Sequence, residues 1–163
     1  MLVPRHQNRF DSVARLIEKQ RFQFVRRSAL SLSTQPEVNA QTQIVLGDTM
    51  GELILFWSIA SVAFVGGSLV DNGGHNPLEP SLFNIPVISG QHVRNFKHIY
   101  QSLADRQGVV MVSDQDQLTA TLLKLLSEQS FCQQLGNNAA QVLSENRGAT
   151  SKLNLQINQL LAT

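Results

Sequence analysis

Short apolar runs alternate along this chain with segments of helical spacing, and nearly every apolar run stops at glycine or a polar turn. That alternation is the pattern of an α/β fold built on a parallel sheet, because parallel strands need a crossover between them. Phe10, Val13, Leu16 and Ile17 predict a helix over 8–20, and Phe22–Val25 a short strand. Ser28–Gln41 is polar, contains Pro36 and reads as a loop. Gln43–Leu46 is the next strand, followed by helix over 51–60 and a buried strand at Val62–Val65. A short helix at Pro77–Phe83, a strand at Ile85–Ile88, a helix over 95–105 and a strand at Val109–Val112 follow. Leu118, Leu122, Leu125 and Leu126 mark one further helix face, and Phe131, Leu135, Ala139 and Val142 a second. Leu153, Ile157, Leu160 and Leu161 mark a third at the C-terminus, expected to be mobile or redocked. Met1–Val3 reads as the end of a strand entered mid-fold, with more sequence expected upstream.

Composition narrows the class. At 163 residues, 42% hydrophobic and 15% charged, the chain suits one globular domain over 1–163. A net charge of +1 gives no reason to invoke nucleic acid or an anionic membrane surface. Arg5, Arg9, Arg15, Lys19, Arg21, Arg26 and Arg27 gather positive charge near the N-terminus and read as solvated helix and strand faces. Cys132 is the single cysteine, which allows no disulfide within the chain and fits a reducing compartment. No apolar run approaches the roughly 20 residues that span a bilayer.

In an open parallel sheet, ligands bind beyond the carboxyl ends of the strands. Four polar or glycine-rich segments follow strands there: Pro4-Arg5-His6, Gly47–Glu52, Gly66-Gly67-Ser68 and Gly73–Pro80. In the last, Asn76 is a candidate N-cap, Pro77 suits the first helical position, and Glu79 stands three residues after Asn76. Glu79 either folds back as a capping partner or points outward to accept from a ribose hydroxyl. Gly73 and Gly74 would let a ligand approach the backbone closely. Asp48 or Thr49 is a candidate cap for the helix near Gly51, which would turn the N–H groups of Met50, Gly51 and Glu52 toward a ligand. Arg5 can pair with a phosphate in two-pronged fashion or form a surface salt bridge. The Walker lysine motif, the GxGxxG fingerprint and the GxSxG elbow are absent. His6, His75, His92, His98 and Cys132 lack metal-ligand spacing, so no metal is expected.

Taken together, Gly47-Asp48-Thr49-Met50-Gly51-Glu52-Leu53, Val65-Gly66-Gly67-Ser68 and Gly73–Pro80 resemble the C-terminal domain of the 3-deoxy-D-manno-octulosonic acid (Kdo) transferases. Pro4-Arg5-His6 with Arg9-Phe10 is similar to that family's opening motif for this domain, and Asn95-Phe96 to a further pair. The resemblance covers nearly the whole chain and is dense over 47–96. It implies a Rossmann-like parallel sheet flanked by helices, the C-terminal half of a GT-B glycosyltransferase. It implies CMP-Kdo as donor substrate, no cofactor, and the lipid A precursor as acceptor at the cytoplasmic face of the inner membrane. The catalytic base, acceptor groove and membrane anchor would belong to an N-terminal domain outside this chain, leaving the fragment soluble and inactive alone. The implied CMP contacts are Pro4, Arg5, Met50, Gly51, Glu52, Asn76, Pro77, Leu78 and Glu79, with His6, Gly67, Ser68, Gly74, His75 and Asn95 as further candidates. The alternatives are the donor half of another GT-B enzyme using a UDP-sugar, and a non-catalytic nucleotide-binding module.

Overall fold

The computed structural model describes residues 1–30 and 38–146. Half of the expected 28–41 loop, residues 31–37, and the whole C-terminal helix expected around Leu153–Leu161 lie outside the described residues. The chain divides into two compact units, Met1–Phe56 and Trp57 onward.

In the first unit a 3-10 turn at Gln7–Arg9 leads into α1 (Phe10–Lys19). Strands β1 (Phe24–Arg26) and β2 (Ile44–Leu46) pair in parallel, Phe24 opposite Ile44 and Arg26 opposite Leu46. Leu2 bridges Leu46 from the other side, so the strand expected at Met1–Val3 reduces to one bridging residue. Ala14 and Ile17 of α1 bury against Leu46, with Val13, Phe24 and Ile44 packed around them. Leu16, expected on the same face, is 56% exposed, because the buried stripe runs through Ala14 and Ile17 instead. Helix α2 (Leu53–Ser58) is shorter than the expected 51–60. Its Phe56 ring lies where a Cβ on Gly47 would come within 2.8 Å, so this glycine admits the ring.

The second unit holds β3 (Ala63–Val65), α3 (Leu78–Ser81), β4 (Val87–Gly90), α4 (Lys97–Asp105), β5 (Val109–Val112), α5 (Gln115–Ser127) and α6 (Gln129–Asn146). The strands form a parallel sheet in the order β3-β4-β5. All four residues of β4 are buried, which fits a central strand covered on both faces. Val65, Val87, Tyr100, Leu103, Val109, Ala139 and Val142 form one core cluster; Ile88, Val112, Leu125 and Leu135 form the other. Gly136 lets α6 press on the loop before β4, since a Cβ there would stand 1.9 Å from the Asn84 carbonyl oxygen. Asp114 caps α5, its Oδ1 accepting from the Gln117 N–H at 2.9 Å. That bond and the Ser113 hydroxyl hold its carboxyl below the ordinary value.

Candidate functional site

The loop after β2 is pinned by carboxylates. Asp48 does not cap α2 as expected. Its buried side chain reaches back to the end of β1, where Oδ2 accepts from Arg26 Nε at 2.7 Å and from the Ser28 hydroxyl at 2.6 Å, and Oδ1 accepts from the Ser28 N–H at 2.8 Å. Burial pushes the Asp48 carboxyl up, but the Ser28 and Arg26 bonds outweigh it and leave the carboxyl below its ordinary value. Arg26 also donates to Asp11 of α1 at 2.6 Å. Glu52 is likewise engaged: Arg27 Nη2 donates to Oε1 at 2.7 Å and the Thr49 hydroxyl to Oε2. Arg26 and Arg27 are therefore half-buried partners of this loop rather than solvated charges. The five-donor guanidinium fork suits both jobs.

What the loop after β2 leaves open is backbone. Among the described residues, nothing accepts from the N–H groups of Met50, Gly51 or Glu52. Gly51 sits at φ +82 with no described atom within 4 Å of where its Cβ would stand, so the loop presents its N–H edge without a side-chain screen. Arg5 is exposed, with no carboxylate in ion-pair reach among the described residues, while Pro4 is half-buried and His6 exposed.

The loops of the second unit are held mainly by neutral bonds. Ser68 is fully buried; its hydroxyl donates to the Val65 carbonyl at 2.7 Å and accepts from the Gly90 N–H at 2.8 Å. Its side chain thus ties the end of β3 to the end of β4 and has nothing left for a ligand. Gly74 N–H donates to the Gly67 carbonyl at 2.8 Å, and His75 packs its ring over Gly67. The buried Tyr100 hydroxyl donates to the His75 carbonyl at 3.1 Å, and burial raises this phenol above its ordinary value.

Gly73 and Gly74 have a packing role within the fold. Cβ atoms there would meet Asn95 Nδ2 at 2.5 Å and the His92 carbonyl oxygen at 3.0 Å, so the pair makes room for the 92–95 segment. Asn95 secures it, donating its N–H to the Gly73 carbonyl at 3.0 Å and Nδ2 to the Gly74 carbonyl at 3.4 Å. The ion pair of Asp71 with Arg94 joins the same two segments, a link that sequence reading missed.

Helix α3 is one turn, shorter than the expected Pro77–Phe83, because Phe83 and Asn84 already turn toward β4 and Asn84 takes φ +56. Pro77, expected at the first helical position, takes the cap position without a side-chain cap bond; Asn76, one residue earlier, bonds to the start of the helix, its Oδ1 accepting from the Leu78 N–H at 3.1 Å. Glu79 turns back toward Asn76, with Nδ2 to Oε1 at 3.5 Å, the long limit of a hydrogen bond. Pro77 is buried, and Leu78 and Glu79 are half-buried. A surface groove of about 290 Å³ lies near the start of β5, lined by Gln107, Phe131, Gln134 and Asn138. Its position, away from the strand carboxyl ends, separates it from these loops. Among the described residues no His, Cys, Asp or Glu cluster could hold a metal. None of the described helices is long and apolar enough to cross a membrane.

Parallel strands flanked by helices, with polar and glycine-rich turns at the strand ends, define a Rossmann-like class of α/β domain. Residues 26–142 match the family of glycosyl transferases group 1, and the chain belongs to that family. It is 49% identical over 154 residues to a 3-deoxy-D-manno-octulosonic acid transferase of Haemophilus influenzae, covering 94% of this chain and 35% of that protein. The enzyme of the same name from Bordetella pertussis is 32% identical over 93% of this chain and 35% of its own length. Among solved structures, the C-terminal CMP-Kdo binding domain of WaaA from Acinetobacter baumannii superposes with a TM-score of 0.79 at 37% identity, covering 86% of this chain and 72% of that one. The fold is therefore the Rossmann-like C-terminal half of a GT-B glycosyltransferase. The chain spans about a third of the length of the curated relatives it matches.

Proposed function

We propose that this chain is the donor-binding half of a Kdo transferase and that its ligand is CMP-Kdo. The observation that carries the reading is the likeness to a solved CMP-Kdo binding domain at 37% identity. The open N–H edge at Met50–Glu52 and the exposed Arg5 are consistent with it. Pro4, Arg5 and the backbone N–H groups of Met50, Gly51 and Glu52 carry the donor contacts in the first unit; Asn76, Pro77, Leu78 and Glu79 carry those in the second.

As the sugar–phosphate bond breaks, negative charge grows on the CMP phosphate. Arg5 and the N–H groups of Met50 and Gly51 stabilise that charge electrostatically, in a scheme that calls for no metal or other cofactor. The base that deprotonates the acceptor hydroxyl comes from the remainder of a full-length enzyme. That remainder also brings the lipid A precursor and the inner-membrane attachment, and the present chain binds donor without turnover. Titration with CMP and, in parallel, UMP, followed by backbone amide shifts, tests the reading. Shifts at 4–6, 50–52 and 74–79 with CMP preferred support it. Equal response to UMP reopens the donor in favour of a UDP-sugar, and no response at millimolar nucleotide sinks the nucleotide-binding role.

A further inference from the structure

The Glu52 carboxylate stands on the loop whose backbone N–H groups are open, and it is negative where an anionic phosphate would arrive. A bare carboxylate there would repel the ligand that the N–H edge attracts. Arg27 removes the conflict: its Nη2 donates to Glu52 Oε1 at 2.7 Å, while Nη1 reaches the Leu30 carbonyl at 3.5 Å. The Thr49 hydroxyl holds the other carboxylate oxygen, so Glu52 is fixed in a neutralised pair. Both side chains remain partly open, 30% for Arg27 and 26% for Glu52, so the pair faces the same water the ligand must cross.

We propose that Arg27 is a positioning residue for nucleotide binding, cancelling the charge of Glu52 so that a nucleoside monophosphate can settle on the Met50–Glu52 backbone. The inference rests on the donor-binding reading above. It differs from a structural role in one measurable way: it acts on the phosphate and leaves the nucleoside alone. A charge left uncompensated beside the phosphate, partly screened by solvent, changes affinity about tenfold.

The test is calorimetric titration of the 163-residue chain with CMP and with cytidine, the same nucleoside without phosphate. Arg27→Gln is expected to weaken CMP about tenfold and cytidine less than about twofold, with the defect shrinking as salt is raised. Arg27→Lys, which keeps the charge, should hold CMP within about threefold of wild type, and adding Glu52→Gln to Arg27→Gln should restore CMP to that same range. Equal loss for both ligands, no loss for CMP, or no rescue by Glu52→Gln overturns the proposal. Should Arg27→Gln lose its thermal transition, Glu52→Gln alone reads the charge balance from the other side. CMP should then tighten at least about twofold relative to cytidine, and unchanged or weaker CMP overturns the proposal. Failure of the wild-type chain to bind CMP sinks the donor-binding reading and this inference together, whereas normal wild-type binding with an indifferent Arg27 sinks only the inference.

Discussion

Gly47–Glu52 and Gly66–Asn76 both follow short parallel strands, and both carry residues proposed above for donor binding, yet they are fixed by different physics. The first is held by ionised side chains: Asp48 to Arg26 and Ser28, Glu52 to Arg27 and Thr49. The second is held mainly by shape and neutral bonds: Ser68 between two strand ends, Gly73 and Gly74 against the 92–95 segment, and Asn95 across them. Charge holds a loop at long sequence range but ties it to pH and salt. Close backbone approach is indifferent to both, and its weakness is intolerance of a single methyl group. The exposed Asp71–Arg94 pair, two-thirds open to water on each side chain, adds little to the second loop.

The largest effect should come from breaking shape at its tightest point. A Cβ on Gly90 would stand 2.2 Å from the Ser68 carbonyl oxygen and 2.5 Å from the Leu69 nitrogen, both backbone atoms that cannot swing aside. Gly90→Ala should cost about 3 kcal/mol, read as a lower urea midpoint with an unchanged slope. The loss should be the same at pH 7 and pH 5. A cost under about 0.5 kcal/mol would mean that the loop yields, and that shape does not hold it.

Breaking the charged loop should cost less and depend on pH. Asp48→Asn removes the carboxylate that Ser28 and Arg26 share, for a loss of about 2 kcal/mol at neutral pH, since Arg26 keeps Asp11. The wild-type carboxyl is depressed below its ordinary value of 3.8. Its contribution is thus complete above that value and is lost as pH falls through the lower folded value. Wild type and Asp48→Asn should differ most above about pH 4.5 and converge in more acid solution, by thermal melts across pH. Parallel curves down to pH 2 would show that the carboxylate is not what holds this loop.

Periodicity revealed the strands, because a buried run such as Val109–Val112 has to be apolar wherever it sits. It also revealed most of the face of α6, where Leu135, Ala139 and Val142 are buried, but it misassigned Leu16 and Leu126, which are 56% and 69% exposed. Spacing alone cannot choose between neighbouring turns of one stripe when the packing partner is unknown. The site divides in the same way. The bond from the Leu78 N–H to Asn76 is local, settled within two residues, and readable. The pairing of Arg27 with Glu52 spans 25 residues and that of Asp48 with Ser28 spans 20, and nothing in the run of residues links them. The pair Arg26-Arg27 at the end of an apolar run was the signal available. Two adjacent cations leaving a strand point to opposite sides, and here each finds its own carboxylate.

The finest test of the shape-held loop separates its two components at one residue. Gly73 has φ +82, where any side chain is strained by about 1 kcal/mol or more, and its Cβ would also meet the Asn95 side chain at 2.5 to 2.8 Å. The obstacle is a side-chain amide rather than backbone, so it can be removed. Asn95→Ala alone should cost only about 0.5 kcal/mol, because the bond it loses is a 3.4 Å contact at the surface. Gly73→Ala should cost about 2 kcal/mol in the wild-type background and about 1 kcal/mol in Asn95→Ala, a coupling of about 1 kcal/mol. The cycle is measured by urea denaturation at two salt concentrations. A loop held by shape gives the same coupling at both, since no charge takes part. Strictly additive losses would leave backbone strain as the whole cost of a side chain at Gly73, and a salt-dependent coupling would bring the Asp71–Arg94 pair back into the account of this loop.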